Sequence, residues 1–118
     1  MSDRKNMLER YVSAILEPTY KYSRPTIGSG STPIEKGDIK NPYFCIEAKD
    51  WNTKSFSIKD DVWKKIKIEA ASESKDAVYV VENSYGNRLA IMDLDDWAQL
   101  VIELVELRKE KENEFRTV

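Results

Sequence analysis

The sequence of 118 residues contains no histidine and a single cysteine, Cys45. Without histidine the chain can build neither a Ser-His-Asp triad, nor a histidine general base, nor the usual zinc site. One cysteine can form neither an internal disulfide nor a cysteine metal cluster, which agrees with a reducing compartment. Chemistry is therefore left to carboxylates, lysines, arginines and hydroxyls, and hard oxygen ligands favour Mg²⁺, with Mn²⁺ as a substitute.

Long apolar runs are also missing. No stretch approaches the roughly 20 apolar residues of a membrane span, and the first residues lack the apolar core of a signal peptide. We therefore expect a cytoplasmic protein without membrane contact. The hydrophobic share of 41%, with only four glycines and four prolines, predicts one compact domain over residues 1–118. So small a domain buries little surface, which favours a homodimer that completes a flat active face.

The net charge of −2 conceals an uneven distribution. Residues 36–75 carry nine Lys and Arg against seven Asp and Glu, whereas residues 76–118 carry five against ten. The first part of the chain could face a polyanion while the acidic C-terminal part faces away from it. An ordinary mixed surface explains the same counts equally well.

Hydrophobic periodicity predicts the elements in the order helix, loop, strand, helix, strand, strand, helix. Apolar residues at helical spacing run from Met7 to Leu16, and Pro18 should end that helix. A strand is expected over 43–48, and a capping box at Ser57 should open the next helix, with Ile58, Val62, Ile66 and Ala70 on one face.

The second half of the sequence predicts a hairpin and a long helix. Residues 77–81 are typical of a central strand buried on both faces, and the turn formers at 83–87 join it to a second strand. Asp93 should cap a helix whose apolar stripe, including Trp97, belongs to the core, as does Trp63. Residues 109–118 should form an acidic, frayed tail. The whole is an α/β domain with a central mixed sheet flanked by helices.

Two short segments carry the candidate chemistry, Gly37-Asp38-Ile39 and Ile46-Glu47-Ala48-Lys49. In a strand Glu47 and Lys49 project from the same face, and Asp38 can reach that face from the preceding segment. Two carboxylates and a backbone carbonyl, here that of Ala48, are ligands that Mg²⁺ accepts while it keeps several waters. Lys49 could orient or deprotonate a water and stabilise a developing anion.

This pattern resembles the signature of the PD-(D/E)XK nucleases, and the whole chain resembles archaeal-type Holliday junction resolvases and their phage relatives. Gly37-Asp38 stands where the family signature has Pro-Asp. The resemblance implies a restriction-endonuclease-like three-layer domain. It also implies a homodimeric, Mg²⁺-dependent endodeoxyribonuclease that cleaves branched DNA in recombination and repair, within the host cytoplasm if the protein is phage-encoded.

The family also places a metal-binding glutamate on the first helix, which corresponds to Glu9, and a Ser-Gly-Ser element before the catalytic aspartate, which corresponds to Ser29 and Ser31. Ser31 is therefore a further catalytic candidate. The residues expected to contact DNA phosphates are Arg24, Ser29, Ser31, Lys54, Lys59 and Lys64.

Plainer interpretations stay open for each residue. Glu47 and Lys49 could be an exposed charge pair on an edge strand, Glu9 a solvated helix residue, and the serines hydroxyls of a flexible loop. Trp51 could stack on a base or fill a dimer interface. For the whole chain, the alternatives are a nicking or restriction-like nuclease on duplex DNA and a catalytically silent DNA-binding module of the same fold.

Overall fold

A computed structural model describes the backbone of residues 2–20, 34–35 and 38–116, and the side chains of residues 7–20 and 39–115. The helices are α1 (Ser2–Ile15), α2 (Glu17–Tyr20), α3 (Asp60–Ser72) and α4 (Leu94–Arg116). The strands are β1 (Ile34–Glu35), β2 (Asp38–Lys40), β3 (Phe44–Asp50), β4 (Asp76–Glu82) and β5 (Arg88–Ile91). This is the α/β domain that the sequence predicts.

The five strands form one mixed sheet in the order β1-β2-β3-β4-β5. Strands β3 and β4 are parallel because α3 carries the chain back across the sheet between them, and the other neighbours are antiparallel. The predicted hairpin of β4 and β5 is confirmed, and Gly86 takes a φ of 80° in its turn. The β1–β2 pair was not predicted.

One helix packs on each face of the sheet. On the first face, Leu8 and Val12 of α1 meet Ile46, Ala48 and their neighbours. On the second face, Ile66 and Ala70 of α3 meet alternate residues of β4, which are Ala77, Tyr79 and Val81. Every residue from Ala77 to Val81 is buried, which confirms the prediction of a central strand covered on both faces.

The two predicted helix caps have different outcomes. Helix α3 begins at Asp60, and its N-cap residue, Lys59, makes no side-chain capping bond, so Ser57 opens no capping box. Asp93 does precede the first residue of α4, and its carbonyl accepts the N–H of Trp97 at 3.0 Å, as expected of an N-cap residue. Its Oδ1 accepts a hydrogen bond of 3.0 Å from Trp63 Nε1, and its carboxylate pairs with Lys67. Asp93 therefore ties α3 to the start of α4.

Helix α4 departs most from expectation. Its apolar stripe was predicted to belong to the core, but Trp97 is 54% exposed and every residue from Val101 to Phe115 is classed as exposed. The helix continues through the acidic segment as far as Arg116. Trp63, in contrast, packs as predicted against the buried cluster beneath α3, here called the α3 cluster, which consists of Ile66, Ala70, Ala77, Tyr79 and Val81. An apolar groove of about 300 Å³ remains between α1 and β5, lined by Tyr11, Ile15, Leu89 and their neighbours.

Helix α1 ends at Ile15, just before Pro18, as the sequence predicts. In the described part of the chain, no helix has the length and apolar character needed to cross a membrane.

Candidate functional site

Three strands bring the candidate residues into one row. Asp38 of β2 lies opposite Glu47 of β3 in the antiparallel register, and Glu47 lies beside Tyr79 of β4 in the parallel register. Positions that are direct neighbours across a sheet share a face. Since Tyr79 belongs to the cluster beneath α3, the row lies on the α3 face of the sheet.

The β2–β3 pairing gives Asp38 and Glu47 a fixed relation at the level of the backbone. The register ends with this pair, so among the described residues Ala48, Lys49 and Asp50 have a strand partner only on the β4 side. Lys49 follows Glu47 by two residues and therefore shares its face. The predicted trio of Asp38, Glu47 and Lys49 thus lies together by position, at the place where β3 leaves β2.

The Lys49 side chain is exposed and lies over an aromatic ring. Its Nζ is 4.3 Å from the centroid of the Trp51 ring, within the range of a cation–π interaction. Trp51 itself is half-buried and packs against the α3 cluster. One face of this indole is therefore occupied by an ammonium group, which makes the ring a poor platform for stacking on a base.

The Tyr79 hydroxyl lies in the same neighbourhood. Tyr79 is 3% exposed, and this burial raises the pKa of its phenol, with the Glu47 charge adding to the rise and an interaction with Trp51 opposing it. The indole Nε1–H of Trp51 is buried close to this hydroxyl, but among the described residues it finds no acceptor with hydrogen-bond geometry.

A small cleft opens beside this group. It has a volume of about 160 Å³ and is lined by Lys49, Trp51, Ser57, Lys59, Val62 and Tyr79. The turn after β3 is held by the backbone bonds from Trp51 N to Glu82 O, 2.7 Å, and from Ser84 N to Thr53 O, 2.8 Å. These bonds fix Trp51 against the end of β4, so one wall of the cleft is anchored to the sheet.

Glu9 lies in α1, which packs on the opposite face of the sheet from Glu47 and Lys49. It is only 6% exposed, so the interpretation of a solvated helix residue is wrong. Its Oε2 and the hydroxyl of Ser13, one turn later, are buried without a hydrogen-bond partner in the described part of the chain. Tyr11 and Ile15 occupy the flank of α1 toward β5, so Glu9 occupies the flank toward β2.

The predicted DNA contacts have different outcomes. Lys54, Lys59 and Lys64 are all exposed, Lys59 lines the cleft, and Lys64 forms an ion pair of 2.9 Å with Asp60. Arg24, Ser29 and Ser31 lie outside the described residues. Their predicted roles in cleavage and DNA binding therefore stay predictions.

The described side chains contain no complete set of metal ligands. Among the side chains that the structure describes, no three acidic, cysteine or histidine residues are grouped so that they could hold one. Asp38 is not among those side chains, so the Asp38–Glu47 pair rests on the backbone register. Two carboxylates at directly opposed positions, with a neighbouring carbonyl, have the oxygen chemistry that suits Mg²⁺.

Tyr79, Ser57 and the Lys49–Trp51 contact were not anticipated from the sequence. The position of Tyr79 beside Glu47 depends on the parallel register of β3 and β4, and no local pattern encodes that register. Alternation in β4 could have assigned Tyr79 to one face of the sheet, but not to Glu47.

No protein-family model, curated protein or solved structure gives a significant match to the chain.

Proposed function

We propose that the protein is a Mg²⁺-dependent endodeoxyribonuclease of the Holliday junction resolvase type, acting as a homodimer on branched DNA. The observation that carries the proposal is the pairing of Asp38 with Glu47, with Lys49 two residues further along the same strand. The order of α1, three antiparallel strands, α3 and a parallel strand β4 is consistent with a restriction-endonuclease-like core.

Asp38 and Glu47, with the carbonyl of Ala48, would hold the metal ion. When bound, Mg²⁺ supplies an activated water and offsets the charge that builds on a phosphate. Lys49 carries an ammonium group on the same face, where it can donate a hydrogen bond to a phosphate oxygen or hold a proton near the attacking water. Glu9, a further ligand implied by the resemblance, lies on the opposite face of the sheet from Glu47; its buried carboxylate oxygen lacks a partner among the described residues, but Glu9 is not part of the Asp38–Glu47 row.

Two rival functions use the same fold. A nicking or restriction-like nuclease would use the same site on plain duplex. A silent DNA-binding module would have no use for two carboxylates at opposed positions, because their mutual repulsion costs stability unless a cation or proton offsets it. The Asp38–Glu47 pair therefore favours a nuclease over a binding module.

The substrate test compares a labelled four-way junction with its matched linear duplex, both with Mg²⁺. Paired symmetric cuts in the junction alone, absent with Glu47→Gln, are expected. Equal cutting of both substrates would retain the nuclease and remove the junction preference. No metal-dependent cutting of either substrate would favour the binding module.

Dimer formation has separate support in the free surface of α4. The helix is about 35 Å long and carries a run of exposed apolar side chains: Leu94, Trp97, Val101, Ile102, Leu104, Val105 and Leu107. A surface of this kind marks an interface.

Charge on α4 favours an antiparallel arrangement of two copies. Asp95 precedes Ile102 by seven residues and Lys109 follows it by seven, so all three lie on one flank of the helix. A two-fold axis near Ile102 brings Asp95 of one copy against Lys109 of the other. A parallel pair would place like charges together.

Cysteine cross-linking tests this arrangement in a Cys45→Ser background. Asp95→Cys mixed with Lys109→Cys should form a disulfide between chains, whereas neither variant alone should do so; self-linking of Asp95→Cys would indicate a parallel pair. In sedimentation, Val101→Asp should produce a monomer, and the matched change Ile68→Asp, at an exposed position of α3, should not. A wild-type monomer at micromolar concentration would overturn the dimer.

A further inference from the structure

A shallow cleft, here called the α4 cleft, lies between the first turn of α3, the end of β5 and the start of α4. It has a volume of about 300 Å³, and its lining offers five apolar side chains and two carboxylates: Ile58, Trp63, Ile91, Met92 and Leu94, with Asp60 and Asp93. Leu94 is 73% exposed and also begins the apolar run of α4. The α4 cleft is therefore continuous with the proposed dimer surface.

The other end of α4 exposes an aromatic ring. Phe115 is 82% exposed, more than any other large apolar side chain in the described part of the chain. It follows Trp97 by eighteen residues, which is five full helical turns, so both rings lie on the same flank of the helix. Because α4 is unbroken from Leu94 to Arg116, Phe115 lies about 32 Å from Leu94. A chain therefore cannot fill its own cleft with this ring.

The proposed antiparallel pairing brings the two ends of α4 together. With a two-fold axis at Ile102, Glu110 of the second copy lies level with Leu94, because each is eight residues from the axis. Phe115 of the second copy lies five residues further on, about 7–8 Å past Leu94. The α4 cleft lies in this direction, since Asp93, which precedes Leu94, is part of its lining.

Flank and charge agree with this position. Asp93 lies one turn before Trp97, and its carbonyl accepts the Trp97 N–H, so the cleft adjoins the flank of α4 that carries Trp97 and Phe115. A two-fold axis perpendicular to the helix pair places this flank of both helices on the same side. Lys111, four residues before Phe115, lies beside it on the helix and reaches the cleft with it, close to the carboxylates of Asp60 and Asp93.

We infer that the α4 cleft binds Phe115 of a second copy, so that each subunit of a homodimer holds the end of the other subunit's α4. The inference rests on the proposed homodimer and identifies the contact at the two ends of its helix pair. Two-fold symmetry gives two such contacts per dimer. A large aromatic side chain buried in a pocket is the kind of contact that contributes most to the affinity of an interface.

Cysteine cross-linking in the Cys45→Ser background tests the contact directly. Under mild oxidation, Ile58→Cys mixed with Phe115→Cys should form a disulfide between chains, and neither variant alone should do so. Both positions are at least 40% exposed, so the changes should leave the fold intact. Ile68→Cys mixed with Phe115→Cys is the matched control, because Ile68 is 70% exposed on α3 and does not line the cleft; this mixture should form no disulfide.

Sedimentation equilibrium measures the contribution of the ring to affinity. Phe115→Ala should raise the dissociation constant of the dimer about tenfold or more, as truncation of a buried aromatic side chain at an interface does. Ile68→Ala removes an equally exposed apolar side chain outside the cleft and should leave the dissociation constant unchanged.

The outcomes separate the cleft from the dimer and from the nuclease. If Asp95→Cys and Lys109→Cys cross-link but Ile58→Cys and Phe115→Cys do not, or if Phe115→Ala dimerises as tightly as Ile68→Ala, the cleft contact is overturned and the helix pairing survives. Loss of both disulfides would overturn the homodimer as well. Neither readout uses cleavage, so a wild type that forms the cleft contact but cuts no DNA would support this inference and contradict the nuclease.

Discussion

Replacing Lys67 by Met should loosen the attachment of α4 to α3. Lys67 Nζ pairs with Asp93 and lies 3.2 Å from Asp96 Oδ2, while Trp63 donates to the same Asp93 carboxylate. The side chains of Lys67 and Asp93 are 37% and 36% exposed, so solvent screens much of their attraction. Because Lys67 contacts two acids, one of which also accepts the Trp63 indole N–H, we expect its loss to lower the free energy of unfolding by about 1–2 kcal/mol at pH 7.

The pH dependence of this loss follows from the pKa shifts of Asp93 and Lys67. A hydrogen bond from Lys67 lowers the pKa of Asp93, so that stabilisation is present above the ordinary aspartate range and disappears as pH falls below it. The hydrogen bond to Asp93 raises the pKa of Lys67, so the same stabilisation is full at neutral pH and is lost only in strong alkali. The difference between wild type and Lys67→Met should therefore begin to shrink below about pH 5 and be clearly smaller at about pH 3.

Urea denaturation at a fixed protein concentration measures the effect, with Lys64→Met as the control. Lys64 pairs with Asp60 on a surface where both side chains are more than 70% exposed, so its loss should change the unfolding free energy by less than about 0.5 kcal/mol. A double-mutant cycle with Asp93→Asn should show coupling. Additive effects of the two changes, or a loss that is the same at pH 3 and pH 7, would refute the reasoning.

Three further changes test the fold. Asp76→Asn should raise the Tm at neutral pH but not at pH 3, because burial raises the pKa of Asp76 and its ionised form therefore destabilises the protein; an unchanged Tm would contradict this. Asn41→Ala should cost roughly 2–3 kcal/mol in urea unfolding, since its buried Oδ1 accepts the N–H groups of Tyr43 and Phe44. Val81→Ala, at a position with no exposure, should cost about 2–3 kcal/mol, and a loss below 1 kcal/mol would show a looser centre of the sheet.

Elements with strong periodicity were predictable from the sequence, because burial imposes the pattern directly. Strand β4 consists of consecutive apolar residues since both of its faces are covered, and Ile66 and Ala70 lie one turn apart because α3 buries one side. Strand β1 escaped prediction, since two residues carry no period. The start of α3 was predicted wrongly for another reason. Ser57 and Asp60 have the spacing of a capping box, but the helix begins only at Asp60, with Lys59 as its N-cap residue.

Helix α4 shows where a hydrophobic pattern stops being informative. An apolar stripe indicates that one face of a helix is covered, but it does not indicate whether the covering surface belongs to the same chain. The stripe around Trp97 was assigned to the core on its pattern alone, and in the single chain it faces solvent.

The candidate site, too, was predictable only where local spacing determines it. The two-residue spacing of Glu47 and Lys49 predicts a shared face as soon as the segment is a strand. The opposition of Asp38 and Glu47 depends on the β2–β3 register, and the proximity of Tyr79 depends on the crossover through α3. The cleft that joins Lys59, Trp51 and Ser57 combines a strand end, a turn and a helix start, so its residues could not be grouped from the sequence.

The most direct test of the central claim is the single-turnover cleavage rate of a four-way junction with excess enzyme and Mg²⁺. Asp38→Asn and Glu47→Gln should each reduce the rate by roughly a hundredfold or more, while Glu69→Gln, an equal change at an exposed position of α3, should leave it unchanged. EDTA should abolish cleavage by the wild type. Full activity of Asp38→Asn or Glu47→Gln, or cleavage that persists in EDTA, would contradict a metal-dependent site built on this pair of strands.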